Sequence, residues 1–169
     1  DQWPPAAKII LFTVMFIGGS AGSTAGGIKV VRLLILGKDA VGALQRAVHP
    51  KLIRTIKVDG KPVDYDVLTA TLVFFFLYIV IFFGSTIIVA AAGLPPFEAM
   101  GAVAATLNNV GPGFGIVGPT ATYAAVHPLA KGVLIADMLL GRLELFTILV
   151  MFHPEFWQPY ILRKGFRLS

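Results

Sequence analysis

Charged residues cut this chain into long apolar runs, and the lengths of those runs predict its elements. Residues 67–97 carry no charge, and Val67–Gly93 is dense in Phe, Ile, Leu and Val. That exceeds the ~20 helical residues needed to cross a hydrocarbon core of about 30 Å, so the pattern predicts a transmembrane helix over 67–93. Between Lys8 and Lys29 lie 20 uncharged residues, but Gly18 to Gly27 reads GGSAGSTAGG. Only residues 6–17 support a helix, about half a membrane deep, that runs into a glycine loop; Pro4 and Pro5 precede it, where proline suits a helix start. After Gly93 the same unit returns: Leu94-Pro95-Pro96-Phe97, a short helical stretch to Leu107, then Asn108-Asn109-Val110-Gly111-Pro112-Gly113-Phe114-Gly115. Setting Gly22 on Gly111 brings Pro4-Pro5 within two positions of Pro95-Pro96, an internal repeat of about 90 residues.

The remaining segments are less regular. Ile28–Leu36 has helical character, Gly37-Lys38-Asp39 is read as an interruption, and a second amphipathic piece runs to His49-Pro50. Ile53–Val63 alternates around Asp59-Gly60, a hairpin signal. Residues 120–151 read as a further helix carrying Lys131, Asp137, Arg142 and Glu144, and the chain closes on Arg163, Lys164 and Arg167. The opening Asp1-Gln2-Trp3-Pro4-Pro5 has no charged n-region and no small-residue cleavage site, so no signal peptide is expected; it reads as a cut edge.

Composition argues against a water-soluble enzyme. Of 169 residues 56% are hydrophobic and 14% charged, against usual fractions of roughly 45–50% and ~25%. The absence of Cys removes disulfides, thiolate metal sites and cysteine nucleophiles. The net charge of +5 reflects clustering: eight cations stand between Lys29 and Lys61 against Asp39 and Asp59. By the positive-inside tendency the basic stretch 46–61 and the basic tail share the cytoplasmic side, which demands an even number of crossings between them. Spans 67–93 and 120–151 supply two, so 94–119 enters and leaves on one face. The basic stretches are read as docking surfaces or, equally, as solvated flanks touching anionic lipid.

Glycine loops at membrane depth need a purpose, because unpaired backbone carbonyls in lipid cost several kcal/mol each. Carbonyls that replace the water shell of a cation supply one, and the preceding half-helix aims its negative C-terminal end at the same path. The competing reading is a glycine-rich helix-packing surface. Three motif matches fail on context. GSTAGGIK at 22–29 lacks phosphate-loop spacing, Gly113–Gly118 satisfies GxGxxG without a preceding strand, and His49, His127 and His153 lack ligand spacing. Lys131 and Asp137 are read as a snorkelling lysine and a helix-pairing aspartate rather than a proton relay.

The segments FIGGSAGSTAGGIKVVRLLIL at 16–36, LQRAVHPKLIRTIKV at 44–58, ATLNNVGPGFGIVG at 105–118 and MLLGRLELFTILVMFHPEFW at 138–157 carry a family resemblance. Here the chain resembles the Trk/Ktr/HKT superfamily of potassium transporters, in its bacterial TrkH-like branch. The resemblance implies an all-α membrane protein of helix–pore-loop–helix repeats with re-entrant half-helices and glycine-rich filter loops. It implies a third pore repeat at 1–64 lacking its first helix: pore helix 6–17, filter 20–24, broken second helix 28–49 and a cytoplasmic basic hairpin 50–64. A fourth repeat follows at 65–169, with first helix 67–93, pore helix 96–107, filter 109–113, second helix 120–151 and cytoplasmic tail 152–169. The implied potassium-binding filter residues are Ser20, Ala21, Gly22, Ser23 and Thr24, and Asn109, Val110, Gly111, Pro112 and Gly113. Two of the family's four filters are absent, so the chain alone is not expected to close a selective pore.

The same resemblance implies a gate. An intramembrane loop would interrupt the second helix of the third repeat at Gly37–Gly42, bounded by Gly37 and Gly42, and Arg142 would stand as a positive barrier below the filter. By helical angles Asp137 and Glu144 share a face and Arg142 points away from both. At ~6 Å and an effective dielectric of ~20, Arg142 would repel K⁺ by about 3 kcal/mol, enough to slow permeation without sealing the path. The competing role for Arg142 is a structural ion pair with a neighbouring helix. The implied function is membrane-potential-driven K⁺ uptake across the bacterial inner membrane, with no enzymatic activity, no cofactor besides the transported K⁺, and no nucleic-acid partner. Implied partners are a second copy in a homodimer, the lipid bilayer and a cytoplasmic nucleotide-binding ring of the TrkA or KtrA type. The alternatives are a broken-helix secondary transporter of another solute and a non-conducting half-subunit.

Overall fold

The computed structural model describes residues 3–20, 26–49, 56–58 and 60–143. Helix α1 (Pro5–Met15) starts at its proline pair, where the Pro4 carbonyl accepts from the amides of Ala7 and Lys8. A loop leads to α2 (Val30–Val48), and two-residue strands β1 (Lys57–Val58) and β2 (Lys61–Pro62) form an antiparallel hairpin about Gly60, whose φ is 78°. Then come α3 (Tyr65–Ala91), α4 (Pro96–Leu107), two short 3-10 turns at Gly115–Val117 and Tyr123–Ala125, and α5 (Pro128–Arg142).

At 27 residues and 1.5 Å per residue α3 is about 40 Å long, and among the described residues it is the helix long and apolar enough to cross a membrane. Thr71, Phe74, Tyr78, Phe82, Ser85 and Val89 bury one stripe at helical spacing. The opposite face leaves Phe76 and Ile87 exposed, as expected of a helix whose surroundings are themselves apolar.

Helix α4 is the centre of the core. Every residue from Gly101 to Leu107 is buried, and its run of alanines lets α1, α3 and α5 close around it. An added methyl on Gly101 would stand 2.6 Å from the Phe114 ring, so glycine is what lets the following loop fold back onto the helix. Rings bind the two halves of the chain together: Phe12 on α1 and Phe16 just after it meet at 5.1 Å, Phe16 meets Phe82 of α3 at 5.3 Å, and Phe12 meets Phe114 at 6.4 Å.

Two sequence expectations need correction. The broken helix over 28–49 is a single helix, so no loop interrupts it between Gly37 and Gly42 and the gate assigned to those glycines has no loop to act through. A lone glycine costs a helix only about 1 kcal/mol relative to alanine and leaves the i→i−4 ladder intact. Lys38 and Asp39 extend along its exposed and half-buried flank, where Lys38 Nζ donates to the Lys57 carbonyl at 2.6 Å and Asp39 pairs with Arg46 at 3.4 Å. The last helix begins at Pro128 rather than residue 120, because Pro128 sets the first helical position and His127 Nδ1 caps it by accepting from the Leu129 amide at 3.2 Å. Residues 144–151 of that expected helix, including Glu144, the tail 152–169 and residues 50–55 of the basic stretch 46–61 lie outside the described residues.

Candidate functional site

Each short helix delivers the chain into a loop. In the first, the two limbs are zipped by backbone: Ile17 and Ile28 form a parallel bridge, the Gly18 amide donates to the Ile28 carbonyl at 2.6 Å, and the Val30 amide donates to Gly19 at 3.1 Å. Ser20 is exposed at the end of the ascending limb, whereas Ala21, Gly22, Ser23 and Thr24 lie outside the described residues.

The second loop is described throughout. Asn108, buried at the end of α4, is pinned from both sides: Tyr78 Oη on α3 donates to its Oδ1 at 2.7 Å, and its own Nδ2 donates to the Ala104 carbonyl at 2.8 Å. Asn109 then adopts φ 55° and Gly111 φ 110°, left-handed conformations that reverse the backbone. The amides of Val110 and Gly111 both return to the Ala105 carbonyl, at 2.8 and 3.4 Å. Farther on, Gly113 donates to Val117 at 2.9 Å, and Glu98 Oε2 accepts from the Ile116 amide at 3.1 Å, tying the loop to the first turn of α4. Tyr123 Oη donates to the Gly111 carbonyl at 3.2 Å. Tyr123 lies in the loop between helices, where burial raises its phenol above the ordinary value, so the hydroxyl stays protonated and able to donate.

The two loops meet. A methyl on Gly26 would fall 2.5 Å from Asn109 Nδ2, and one on Gly27 would strike Asn108 Oδ1, so the descending limb of the first loop lies directly on the start of the second. Beside them opens a cavity of about 630 Å³, lined by Gly18, Gly19 and Gly26 from one loop, by Asn109, Val110, Pro112 and Gly113 from the other, and by Lys8, Leu11, Val14 and Met15 along α1, whereas Gly111 borders a separate space. Both half-helices end at this space, so the dipoles of α1 and α4 favour a cation beside the loops, while Lys8 on α1 sets a positive charge elsewhere on the same wall.

On α5, Asp137 is buried and its Oδ1 accepts from Ser85 Oγ of α3 at 2.8 Å, a hydrogen bond that joins the two helices. Lys131 Nζ donates to the Ala124 carbonyl at 2.8 Å. One residue before the end of α5, Gly141 packs against the Leu107 carbonyl and Asn109, which sets the exposed Arg142 next to the junction of α4 and the second loop. Sequence reasoning did not find Tyr78, Tyr123, Glu98 or Gly141. Only Gly141 carried a signal, a glycine inside a helical run, whereas the others act through contacts that no local spacing reports.

Comparison with known proteins places this architecture. The family described as TrkH, cation transport protein, matches residues 1–161. The Trk system potassium uptake protein TrkH of Salmonella typhimurium is 44% identical over 157 residues, covering 93% of this chain and 32% of the relative. The Trk system potassium uptake protein TrkG of Escherichia coli K12 is 33% identical over 157 residues, with the same 93% and 32% coverage. The crystal structure of the potassium transporter TrkH from Vibrio parahaemolyticus superposes with a TM-score of 0.82 at 44% identity, covering 92% of this chain and 33% of that one. The chain thus spans about a third of the length of the curated relatives it matches. An all-α membrane architecture, two half-helices ending on one cavity and a match over nearly the whole sequence converge: this chain belongs to the TrkH family of cation transport proteins.

Proposed function

We propose that this chain contributes two filter loops to a potassium-uptake pathway in a bacterial inner membrane. The observation that carries the proposal is the meeting of the two loops at one cavity of about 630 Å³, where Gly18, Gly19 and Gly26 face Val110, Pro112 and Gly113 at the C-terminal ends of both half-helices, the wall also including the apolar side of α1 with Lys8. Relatives named potassium uptake proteins support K⁺ as the cargo. Ser20 to Thr24 and Asn109 to Gly113 are the residues whose carbonyls would replace water around the ion. The left-handed turns at Asn109 and Gly111 let successive carbonyls of the second loop point where a uniformly extended strand could not. The membrane potential drives inward movement, at about 2.3 kcal/mol per charge per 100 mV.

Arg142 acts in this reading as a positive barrier below the second loop, next to the Gly141 contact with the end of α4. A second copy of the protein and a cytoplasmic nucleotide-binding ring are its proposed partners.

Growth rescue and Rb⁺ uptake of the intact protein in a potassium-uptake-deficient bacterium test the proposal. The wild type restores growth at low K⁺, Gly111→Ser lowers the preference for Rb⁺ over Na⁺, and Arg142→Ala raises the uptake rate. A wild type that moves no Rb⁺, or a Gly111→Ser variant with unchanged selectivity, overturns it.

A further inference from the structure

Both loops carry main-chain pairs among the described residues, but the reversal of the second is also held by a side chain. The first is closed by main-chain pairs, Gly18 to Ile28 and Gly19 to Val30. In the second, the partner of the Gly111 carbonyl among the described residues is a side chain, the Tyr123 hydroxyl at 3.2 Å. Glycine at φ 110° has little intrinsic preference for one orientation. Sterics do not supply one either: among the described residues a methyl built on Gly111 meets nothing within 4 Å, and beside the loop lies a space of about 390 Å³ bordered by Thr106, Gly111, Tyr123, Lys131 and Met138.

Tyr123 is itself held. It sits in a 3-10 turn whose Ala124 amide donates to Thr122 Oγ1 at 3.4 Å and whose Ala124 carbonyl accepts from Lys131 Nζ at 2.8 Å. Lys131 stands one turn into α5, so a rigid helix is tethered through the turn and the phenol to the reversal of the loop.

We propose that Tyr123 is a positioning residue of the second loop: its hydroxyl fixes the Gly111 carbonyl, and the Lys131 tether fixes the turn that presents it, so this pair sets how sharply the loop discriminates K⁺ from Na⁺. The proposal rests on the transport reading above. Selectivity by backbone carbonyls requires that their positions be defined, and a carbonyl released into open space adapts to either ion.

The test measures Rb⁺ and Na⁺ uptake by the intact protein in the deficient bacterium and in proteoliposomes, for wild type, Gly111→Ser, Tyr123→Phe, Tyr123→Leu and Lys131→Met. Tyr123→Phe keeps the ring and removes only the donor. It accumulates in the membrane at wild-type level, transports Rb⁺, and loses about 3- to 10-fold in Rb⁺/Na⁺ preference, the range expected for one hydrogen bond. Lys131→Met shifts the preference the same way by less. A Tyr123→Phe variant with wild-type preference beside a degraded Tyr123→Leu overturns the inference, because packing of the ring then suffices. Should Tyr123→Phe fail to accumulate, Lys131→Met decides, and an unchanged preference there also overturns it. If Gly111→Ser alters selectivity while Tyr123→Phe does not, only this inference fails. A wild type without Rb⁺ uptake removes the transport reading and this one together.

Discussion

Gly141→Ala is the substitution whose effect the packing defines most closely. Its new methyl would sit inside the van der Waals boundary of the Leu107 carbonyl oxygen, 2.9 Å from the Leu107 carbonyl carbon and 2.7 Å from Asn109 Nδ2. Against those last two atoms it falls about 0.5 and 0.7 Å short of ordinary contact, taken as roughly 3.4 Å. The side chain of Asn109 can swing away, at the loss of its 3.4 Å hydrogen bond to the Met138 carbonyl. The Leu107 carbonyl is backbone at the end of a buried helix and cannot, so α5 itself must move off α4. Overpacking of this kind costs about 1–3 kcal/mol, and the upper end applies where the obstacle is backbone. Exchanging glycine for alanine within a helix returns up to ~1 kcal/mol, which leaves a net destabilisation of about 2 kcal/mol. Gly132→Ala on the same helix is the control, since a methyl there meets nothing within 4 Å among the described residues. Thermal unfolding of the purified intact protein in detergent, with Rb⁺ uptake in parallel, reads both. Gly141→Ala lowers the melting temperature by about 4–8 °C, at ~2–4 °C per kcal/mol for a unit of this size, and impairs uptake. Gly132→Ala is neutral or stabilising. A Gly141→Ala variant as stable and active as Gly132→Ala would refute the claim that α5 is seated by backbone contact with α4.

Two further substitutions probe the buried polar pairs. Tyr78→Phe removes the donor to Asn108 Oδ1 and leaves that buried oxygen unsatisfied; it destabilises by about 1–3 kcal/mol and lowers uptake, because Asn108 supports Gly27 of the first loop and precedes Asn109 of the second. Ser85→Ala removes the donor to Asp137 Oδ1, and among the described residues its other oxygen, Oδ2, has no partner to take over. The expected loss is about 1–3 kcal/mol or more, and the double variant Ser85→Ala/Asp137→Leu recovers most of it in a double-mutant cycle of melting temperatures; additive losses would sink the assigned pairing.

The sequence by itself determined the kind of molecule. Charge-free length marked α3 as a membrane helix, and proline pairs followed by glycine-rich stretches marked α1 and α4 as half-length helices leading into loops, because these signals are local and each residue contributes independently of its neighbours in space. Local signals also misled. Gly37-Lys38-Asp39 reads as a break, yet the helix ladder runs through it, since one glycine and two polar residues on an exposed to half-buried flank cost less than the hydrogen bonds they would forfeit. Apolar character from residue 120 onward reads as helix, yet Pro119, Pro128 and the His127 cap hold the chain in turns until residue 128. Only the tertiary structure brought residues far apart in sequence onto one site: Tyr78 beneath Asn108, Gly27 on Asn108, Gly141 against Leu107, and Tyr123 on the Gly111 carbonyl. Those contacts depend on which faces of five helices meet and at what depth. A linear pattern fixes which face of a helix is apolar, but the partner it finds is settled by packing around the small residues of α4, and it is that packing which turns two glycine loops into the walls of one cavity.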